Sequence, residues 1–472
     1  MKTHSKNRPH CLAIGALNCH GLLEKLDDPG VIDLITSHDI FGTSETWLKD
    51  KVKISIPGYK FYPVNRKVNK GPTKGGVGLF IKEEIKKYVK IRYDLSSEYT
   101  LWCKLDKNFF GFNKDVYIGS VYIPPETSSR EKRIEKDHFK SLEETILLMG
   151  GNSSKILIGD FNARTQNIMD TLVKEKHDQD LGLDFYSKIS TIRNNEDKTI
   201  NNYGKKLTEL CAATRSYIVN GRTIGDIQGK FTCHQPGGSS TVDYAIVSEE
   251  MKKYVQSFAV LDPDTGSDHC PIKLQINCPQ NLSINGGGDT ETTPPPFKWN
   301  EETKLYFTKQ MNSEIIYKKM NKLIESIDET DDVDSHVDQL NEIFRTSLEF
   351  KKCRKKTKNK KKHPHKAWYD KSCHEVKKKL KNVSQLLSKS PKDPYLRGSF
   401  IKTKKEYKKL LKMKRNEWNQ TMIQKLESIE EKDPKKYWKM INELREKKKT
   451  GTDISDLESF TVFFEDLFFC EV

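Results

Sequence analysis

The sequence has no stretch of apolar residues long enough to cross a bilayer. A spanning helix needs about 20 consecutive, mainly apolar residues, and no run in the 472-residue chain approaches this length. The apolar segment that begins near residue 11 is short and is interrupted by Asn18 and His20, which argues against a secretory signal. We therefore expect a soluble, intracellular protein with no membrane partner.

The sequence also lacks paired cysteines and a convincing internal repeat. Its 10 cysteines are scattered, with no Cys-x-x-Cys pair and no spacing typical of zinc ligands. Such a pattern is typical of a protein kept in a reducing compartment. It argues against a disulfide-stabilised scaffold and against a zinc-binding module.

Charge and length limit the class of partner and the number of domains. The net charge is +16, which favours a polyanionic partner such as nucleic acid, an anionic membrane or a phosphorylated substrate. The length exceeds that of one ordinary domain. Composition therefore indicates two or more units and a negatively charged partner, but it does not indicate the fold.

A change in composition near residue 280 separates two regions. Residues 285–298 are rich in Gly, Thr and Pro, as linkers are. We predict a first domain at residues 10–277, a linker at 278–298, and a Lys-rich, mainly helical region at 299–472.

A basic block lies inside the second region. Residues 351–366 contain ten Lys or Arg and no acid. Two interpretations stay open: a solvated linker or nuclear address, or a nucleic-acid contact made by Lys355, Lys356, Lys360 and Lys361. Further on, Phe400, Tyr407, Leu410, Leu411, Trp418 and Met422 share one helical stripe, which we interpret as a packing surface.

Short apolar segments in the first domain predict strands that alternate with helices. The predicted strands include residues 11–17, 40–43, 76–81, 100–105, 115–123, 156–158, 241–247 and 272–276, and the predicted helices include 31–38, 138–149 and 207–213. Residues 165–202 are polar and irregular, which predicts a long surface loop.

Polar side chains follow many of these strands. The clearest case is residues 155–164, KILIGDFNAR, where an apolar strand leads into Asp160 and Asn162. The residues at predicted strand ends are Asn18, Glu45, Tyr122, Asp160, Asn162, Asp268 and His269, and Asp243 lies inside a strand. Strands that each end in a polar residue would converge on one rim of a sheet.

Each of these residues also has a structural interpretation. Gly-Asp followed by Asn is good turn chemistry, Glu45 could be a solvated acid, Tyr122 a residue at the core edge, and His269 a buried structural histidine. A carboxylate inside an apolar strand is costly unless it is paired, so Asp243 needs a partner. Together the set suits phosphodiester hydrolysis, which requires a hard cation, an oriented water and help with proton transfer.

Six short motifs carry a resemblance to a known family. LNCHG, GTSETW, VYIPP, GDFNA, STVDYAIV and GSDHCP occur in the order found in the endonuclease/exonuclease/phosphatase superfamily. The chain most resembles the endonuclease domain of LINE-type non-LTR retrotransposons, over about residues 10–277. The resemblance implies an α/β (α+β) fold, a four-layer sandwich of two mixed β-sheets flanked by helices, with the site at one edge.

The resemblance implies a metal site. Glu45 is expected to be the main Mg²⁺ ligand, with Asn18 and Asp268 beside it and Mn²⁺ as a substitute ion. One departure is His20, which stands where abasic-site endonucleases of the superfamily carry an acid. LINE-type members also lack that acid, so the departure argues against abasic-site repair more than against catalysis.

The resemblance also implies the catalytic roles. Asp160 is expected to orient or deprotonate the attacking water, and Asn162 to hold the phosphate or that water. His269 is expected to contact the scissile phosphate, kept in its tautomer by Asp243. Tyr122 and Thr232 are expected to touch the phosphate as well.

The C-terminal part resembles the segment that joins endonuclease to reverse transcriptase in such elements. The motifs are AWYD at 367–370, DPKKYW at 433–438 and FFEDLF at 463–468. No Tyr-x-Asp-Asp sequence is present, so we expect no polymerase domain and interpret the chain as a truncated element.

The sequence thus predicts a Mg²⁺-dependent, nuclear DNA endonuclease. It would nick one strand and leave a 3′-hydroxyl for target-primed reverse transcription, with DNA and element RNA as partners. One alternative is another phosphodiesterase or phosphatase of the superfamily, of sphingomyelinase or inositol-phosphate type, which the basic tail disfavours. The other is a catalytically dead nucleic-acid-binding relic, which the filled catalytic positions disfavour.

Overall fold

A computed structural model describes most of the first domain and parts of the C-terminal region. The described residues are 11–50, 52–66, 74–126, 137–151, 153–170, 189–190, 192–279, 301–329, 333–347, 366–430, 433 and 435–438. Residues 351–365 of the basic block, with Lys355, Lys356, Lys360 and Lys361, lie outside them, as do the FFEDLF motif and nearly all of the predicted linker. Within the described residues, no helix combines the length and the apolar character that a membrane span needs.

The elements are numbered in chain order. The strands are β1 Cys11–Asn18, β2 Ile40–Ser44, β3 Tyr59–Val64, β4 Val77–Lys82, β5 Val89–Ile91, β6 Thr100–Leu105, β7 Asp115–Tyr122, β8 Ser153–Asp160, β9 Ser216–Ile218, β10 Cys233–Gln235, β11 Gly238–Ser240, β12 Asp243–Ser248, β13 Val255–Val260 and β14 Ile272–Asn277. The helices are α1 Leu22–Lys25, α2 Pro29–Thr36, α3 Lys107–Phe110, α4 His138–Leu148, α5 Asn202–Ala213, α6 Glu301–Met311, α7 Glu314–Glu329, α8 Val333–Ser347, α9 Lys371–Lys389 and α10 Pro394–Glu430.

Two mixed sheets of six strands form the body of the first domain. The first sheet has the order β13-β14-β1-β2-β4-β3 and the second β5-β6-β7-β8-β12-β9, while β10 and β11 form a separate hairpin. One neighbouring pair in each sheet is parallel, β1 with β2 and β7 with β8, and the other pairs are antiparallel. The parallel pairs bring two strand ends together at the same edge of each sheet.

Alternating side chains place the sheets face to face. Within β8, Ile156 and Ile158 belong to the core between the sheets, whereas Leu157 belongs to the cluster on the outer face. This period of two is what the geometry of a strand dictates. Ile14 of β1 and Ile118 of β7 are fully buried in the same central core.

Helices cover both outer faces. On the first sheet, Phe41 packs in a cluster with Val31 and Ile35 of α2. On the second sheet, the outer cluster includes Phe139 of α4 and Leu207 of α5. The order is therefore helix, sheet, sheet, helix, and the predicted four-layer sandwich is confirmed.

Some local predictions differ from the structure. The sequence does not predict the strands β3, β5, β11 and β13; β3, β5 and β13 lie at sheet edges, and β11 lies in the hairpin with β10. The sequence also predicts a strand that opens at Phe231, and in the structure this strand begins at Cys233. In the predicted surface loop, Arg193, Asn195 and Asp197 are buried. Asp197 accepts two hydrogen bonds from Arg164, at 2.6 and 2.8 Å, so paired charges allow this polar segment to pack inside.

The C-terminal helices α9 and α10 form a hairpin. Phe400, Tyr407 and Leu411 of α10 are buried in one cluster with Cys373 and Leu380 of α9. The predicted helical stripe therefore contributes to packing. Asp370 caps α9 through a 3.1 Å hydrogen bond from the Cys373 backbone N–H, which satisfies a donor that the helix leaves free.

Candidate active site

Strand register brings the predicted residues to one edge of the sandwich. Asn18 at the end of β1 pairs with Ser44 at the end of β2, and Glu45 follows directly. In the second sheet, Tyr122 at the end of β7 pairs with Asp160 at the end of β8. The carboxyl ends of both parallel pairs thus contribute to one cluster.

Asn18 links the two sheets at this edge. Its side chain is buried, and Nδ2 donates to Glu45 Oε1 at 3.0 Å and to Asp160 Oδ2 at 2.9 Å. Its Oδ1 accepts a 3.1 Å hydrogen bond from the His20 backbone N–H. Both ends of the amide are therefore engaged, and a single side chain fixes the distance between the carboxylates of the two sheets.

Glu45 is held as a carboxylate. Its Oε2 lies 3.3 Å from His20 Nδ1, and its side chain is 16% exposed. Burial raises the pKa of Glu45, but hydrogen bonds from His20 and Asn18 outweigh burial, and the net effect is a lowered pKa. An ionised, partly exposed carboxylate at the rim is suited to binding a cation.

The donor set at this edge fits a hard divalent cation. Glu45 and Asp160 offer carboxylate oxygens, which Mg²⁺ prefers. The amide of Asn18 turns its nitrogen towards these carboxylates, so coordination through the Asn18 oxygen requires the amide to flip. The residues fit a metal ion centred on Glu45.

Asp160 lies at the centre of the cluster. It is fully buried, and besides Asn18 its carboxylate accepts hydrogen bonds from the Asn162 backbone N–H at 2.9 Å and from Asn162 Nδ2 at 3.2 Å. Asn162 Nδ2 also donates to the Ile123 carbonyl at 2.8 Å. Burial raises the pKa of Asp160, the charge of Asp243 raises it further, and His269 partly opposes this rise. A carboxylate with a raised pKa is a better acceptor of a proton from water.

His269 lies between two acids. Its Nδ1 is 2.8 Å from Asp243 Oδ2, and its Nε2 is 3.9 Å from Asp160 Oδ2. Burial would lower the pKa of His269, but the negative charges of Asp243 and Asp160 and the hydrogen bond to Asp243 outweigh burial and hold the pKa well above its ordinary value. A cationic imidazole can stabilise negative charge on a phosphate.

The acids and the histidine also form a compact ligand group. One ligand atom each from Asp160, Asp243 and His269 lies within 4.8 Å of the others, and all three residues are buried. In the structure, however, Nδ1 of His269 and Oδ2 of Asp243 form a hydrogen bond with each other. We therefore interpret this group as a unit that holds a proton, next to the Glu45 carboxylate.

Tyr122 and Thr232 differ in their burial and in the partners of their hydroxyl groups. The Tyr122 ring is 6% exposed, and burial and then the charges of Glu45 and Asp160 raise the pKa of its phenol well above the ordinary value. The phenol is thus a neutral donor. Thr232 is fully buried, and its Oγ1 accepts hydrogen bonds from the Val242 and Asp243 backbone N–H groups, both at 3.0 Å. This hydroxyl orients β12, and its contact with phosphate stays a prediction.

Asp268 has a partner from outside the first domain. Lys404 of α10 donates to its Oδ1. Burial raises the pKa of Asp268, but the hydrogen bond and the charge of Lys404 lower it overall. The predicted role of Asp268 as a metal ligand stays a prediction, and the structure adds an ammonium group to its surroundings.

Left-handed backbone conformations cluster at the site. His20, Glu45, Trp47 and Asn162 have φ angles of 47°, 48°, 53° and 47°. Non-glycine residues rarely adopt this region, and such residues concentrate at functional sites. The turns that follow β1, β2 and β8 are therefore held in conformations that aim these side chains at the edge.

Comparison with known proteins agrees with this geometry. The model of the "Endonuclease/Exonuclease/phosphatase family" matches residues 15–269. The chain belongs to this family. No curated protein matches it.

Two solved structures are similar to the chain. One is the AP endonuclease LMAP from Leishmania major, with 15% identity, 59% of this chain and 91% of that chain covered, and a TM-score of 0.43. The other is the endonuclease domain of TRAS1, a telomere-specific non-LTR retrotransposon, with 13% identity, 57% and 99% covered, and a TM-score of 0.38.

Family membership confirms the superfamily expected from the motifs. Its members are metal-dependent phosphodiester hydrolases, nucleases among them, and the fold of the chain is theirs. The matched range begins within β1 and ends at His269, so it contains every predicted site residue except the Lys355 to Lys361 set.

Sequence reasoning missed several residues that shape the site. Ser267 Oγ donates to the Asn18 carbonyl at 2.6 Å, and Asn201 Nδ2 donates to the Asn162 carbonyl at 3.0 Å. Lys404 is 136 residues from its partner Asp268. Ser267 could have been found from its place in the GSDHCP motif, whereas no local signal marks Asn201 or Lys404.

Proposed function

We propose that the chain is a Mg²⁺-dependent DNA endonuclease that nicks one strand and leaves a 3′-hydroxyl. The observation that carries the proposal is the set of contacts around Asp160. Its carboxylate is buried, is hydrogen-bonded by Asn18 and Asn162, and lies 3.9 Å from His269. A base, two amides and an imidazole thus surround one point, which suits attack by water on a phosphate.

Asp160 and His269 divide the chemistry between them. Asp160 accepts a proton from the attacking water. The oxygen of that water forms a bond to phosphorus on the side opposite O3′. His269, kept cationic by Asp243 at 2.8 Å, stabilises the negative charge on the phosphate oxygens. The P–O3′ bond breaks, and the leaving O3′ takes a proton from bulk water. The products are a 3′-hydroxyl and a 5′-phosphate, and Asp160 then releases its proton to solvent.

Glu45 would hold the cation in this proposal, with Asp268 as a predicted further ligand. Asn18 would join them through its oxygen after a flip of its amide. A bound Mg²⁺ supplies positive charge to the phosphate oxygens. Asn162 and Tyr122 bind the phosphate from the second sheet. Asn162 is held in place by the Ile123 carbonyl at 2.8 Å.

Charge and motifs support DNA as the substrate. The net charge of +16 favours a polyanion. The six motifs resemble those of LINE-type endonucleases, which act on DNA. In an intact element, the 3′-hydroxyl would prime reverse transcription, with the element RNA as template and the nucleus as the place of action.

A plasmid assay tests the proposal. The full chain is incubated with supercoiled plasmid in Mg²⁺ or in EDTA, and the 3′ ends are tested as primers for a DNA polymerase. Asp160→Asn keeps the shape and removes the base, so we expect a loss of about 10²- to 10⁴-fold. Asp33→Asn, a change at an exposed acid of α2, is the matched control and should nick normally.

The outcomes separate the candidate functions. Nicking that needs Mg²⁺ and Asp160, with extendable ends, supports the endonuclease. Activity confined to sphingomyelin or inositol phosphates would assign another member of the family. DNA binding without nicking in any divalent metal, Mn²⁺ included, would indicate a catalytically dead nucleic-acid-binding protein.

A further inference from the structure

Polar contacts join the α9–α10 hairpin to the nuclease domain. The partners on the domain are acids that lie after α1 and before β14. The ion pairs and hydrogen bonds are Lys366 to Asp27 at 2.6 Å, Lys377 to Asp28 at 2.5 Å, Arg415 to Asp27 at 3.0 Å, Ser388 to Asp262 at 3.1 Å, and Lys404 to Asp268. The basic hairpin therefore neutralises an acidic border of the domain.

Lys404 differs from the other lysines of this interface in its burial and its position. Its side chain is 8% exposed, compared with 39% for Lys366 and 17% for Lys377. Lysine is rarely buried without a partner, because an unpaired ammonium group loses its hydration. The partner of Lys404 is Asp268, the residue directly before His269. The most deeply buried of these three lysines is thus paired with the residue that precedes His269, the proposed phosphate-binding histidine.

Three of the contacts that hold the segment Ser267 to His269 involve side chains of these residues. Ser267 Oγ donates to the Asn18 carbonyl at 2.6 Å, which fixes one end to β1. His269 Nδ1 bonds to Asp243 at 2.8 Å, which fixes the other end to β12. Lys404 bonds to Asp268 in the middle. Two of these three contacts are made by strands of the domain, and the third is made by α10, the helix that begins at Pro394.

The surroundings of Lys404 also fix its direction. Its Nζ lies 5.2 Å from the centre of the Phe400 ring, and that ring packs edge-on against His234 at 6.3 Å. The His234 backbone N–H in turn donates to the Asp268 carbonyl at 2.9 Å. The backbone of Asp268 is therefore hydrogen-bonded to β10, and its side chain is bound by α10.

We propose that Lys404 of α10 is a positioning residue of the active site. The role of His269 in catalysis rests on the proposed function. Lys404 fixes the loop that carries His269 through its contact with the Asp268 side chain. This positioning residue lies past residue 269, where the family match ends.

The test compares two basic residues of the same interface in the full chain. Lys404→Met removes the contact to Asp268, and Arg415→Met, the matched control, removes a contact to Asp27 far from His269 in the sequence. Lys404→Arg keeps the charge. The readouts are kcat and KM for nicking, and hydrogen exchange of the backbone amides at residues 266–270.

A specific pattern is expected. Lys404→Met lowers kcat by about 10- to 100-fold, as misplacement of a catalytic group does, with a smaller change in KM, and the amides of 266–270 exchange faster. Lys404→Arg restores much of both. Arg415→Met leaves kcat and the exchange of 266–270 unchanged.

A double variant protects the test against misfolding. Lys404→Met leaves Asp268 without its partner, whereas Lys404→Met with Asp268→Asn removes both charges, a change that a protein tolerates better. The double variant should fold and still show faster exchange at 266–270. Exchange is the readout for this variant, because Asp268 is itself a predicted metal ligand and its replacement lowers kcat by that route too.

The outcomes distinguish this inference from the proposed function. Equal losses in Lys404→Met and Arg415→Met, or wild-type turnover and exchange in both Lys404 variants, would overturn the role of Lys404 while nicking by the wild type stands. If the wild-type chain does not nick, the proposed function fails. The exchange of residues 266–270 then decides by itself whether Lys404 holds the loop.

Discussion

Asp160 and Asp243 face each other across the antiparallel pair β8 and β12, so their side chains project from the same face of the sheet. Asp243 bonds to one nitrogen of His269, and Asp160 lies 3.9 Å from the other. Two acids on neighbouring strands thus flank one imidazole. The sequence places Asp243 inside a strand, but in the structure it is the first residue of β12. Its buried carboxylate is accommodated there because the charge has a cationic partner.

The pairing predicts how activity depends on pH. Because the carboxylate of Asp243 raises the pKa of His269, activity that needs the imidazolium should persist until the pH rises through that raised value. Asp243→Asn removes the negative charge that opposes the effect of burial on His269. The pKa of His269 therefore falls, and the alkaline limb of the profile moves to lower pH. The measurement is kcat/KM for nicking against pH.

The acid limb provides the control for this prediction. Burial raises the pKa of Asp160, and the charge of Asp243 adds to it, so removal of that charge should also move the acid limb to lower pH. Asp33→Asn should move neither limb. An alkaline limb that stays in place, or moves to higher pH, would contradict the assigned role of the Asp243–His269 pair.

Gly159 is predicted to be irreplaceable. Its φ is 145°, and a Cβ there would lie 2.1 Å from the Val121 carbonyl oxygen on β7. Gly159→Ala should therefore destabilise the fold by about 2–4 kcal/mol, through backbone strain and a clash between neighbouring strands. The measurement is the free energy of unfolding from denaturation in guanidinium chloride.

Gly237→Ala is the matched control for this change. Gly237 is exposed between β10 and β11, and a Cβ there would meet nothing within 4 Å. We expect an effect within about 0.5 kcal/mol. A Gly159→Ala variant as stable as Gly237→Ala would show that β7 and β8 can separate at the site without cost.

The basic block is predicted to contact DNA. Changing Lys355, Lys356, Lys360 and Lys361 to Gln should weaken DNA binding and lower the slope of log K against log salt by about 0.9 for each phosphate that the variant no longer neutralises. Binding is measured by fluorescence anisotropy of a labelled duplex between low and physiological salt.

A second set of four lysines controls for net charge. Lys60, Lys87, Lys90 and Lys107 are exposed. They lie near strand ends remote from Asp160, as Lys107 follows β6 where β7 begins. Their replacement by Gln removes the same charge and should leave the salt slope closer to that of the wild type. Equal slopes in the two variants would make the block a linker.

Much of the fold could be predicted because strand signals in this chain are strong and local. Ile156, Leu157 and Ile158 form a short apolar run that ends at a Gly-Asp turn, and such a run favours a buried strand without knowledge of its neighbours. The edge strands β5 and β11 have three residues each, and their pairing is decided by the strands beside them. A single sequence does not contain that information.

The sequence indicates which residues form the site, but it indicates less well how their side chains are arranged. Asn18, Glu45, Asp160 and His269 come together because each follows or ends a strand, and strand ends are visible in the sequence. The direction of the Asn18 amide and the contact of Lys404 depend on packing between distant segments. Lys404 lies in a helix with many lysines, and sequence alone does not indicate which of them is buried.

The Asn18 to Asp160 hydrogen bond has a mechanical consequence. It crosses from the first sheet to the second at 2.9 Å, so the separation of the proposed cation ligand Glu45 from the proposed base Asp160 follows the spacing of the sheets. That spacing is set by aliphatic side chains such as Ile14 and Ile118 in the central core. Turnover should therefore respond to the thickness of this layer, and a cavity made far from the edge should slow the reaction at temperatures where the chain is still folded.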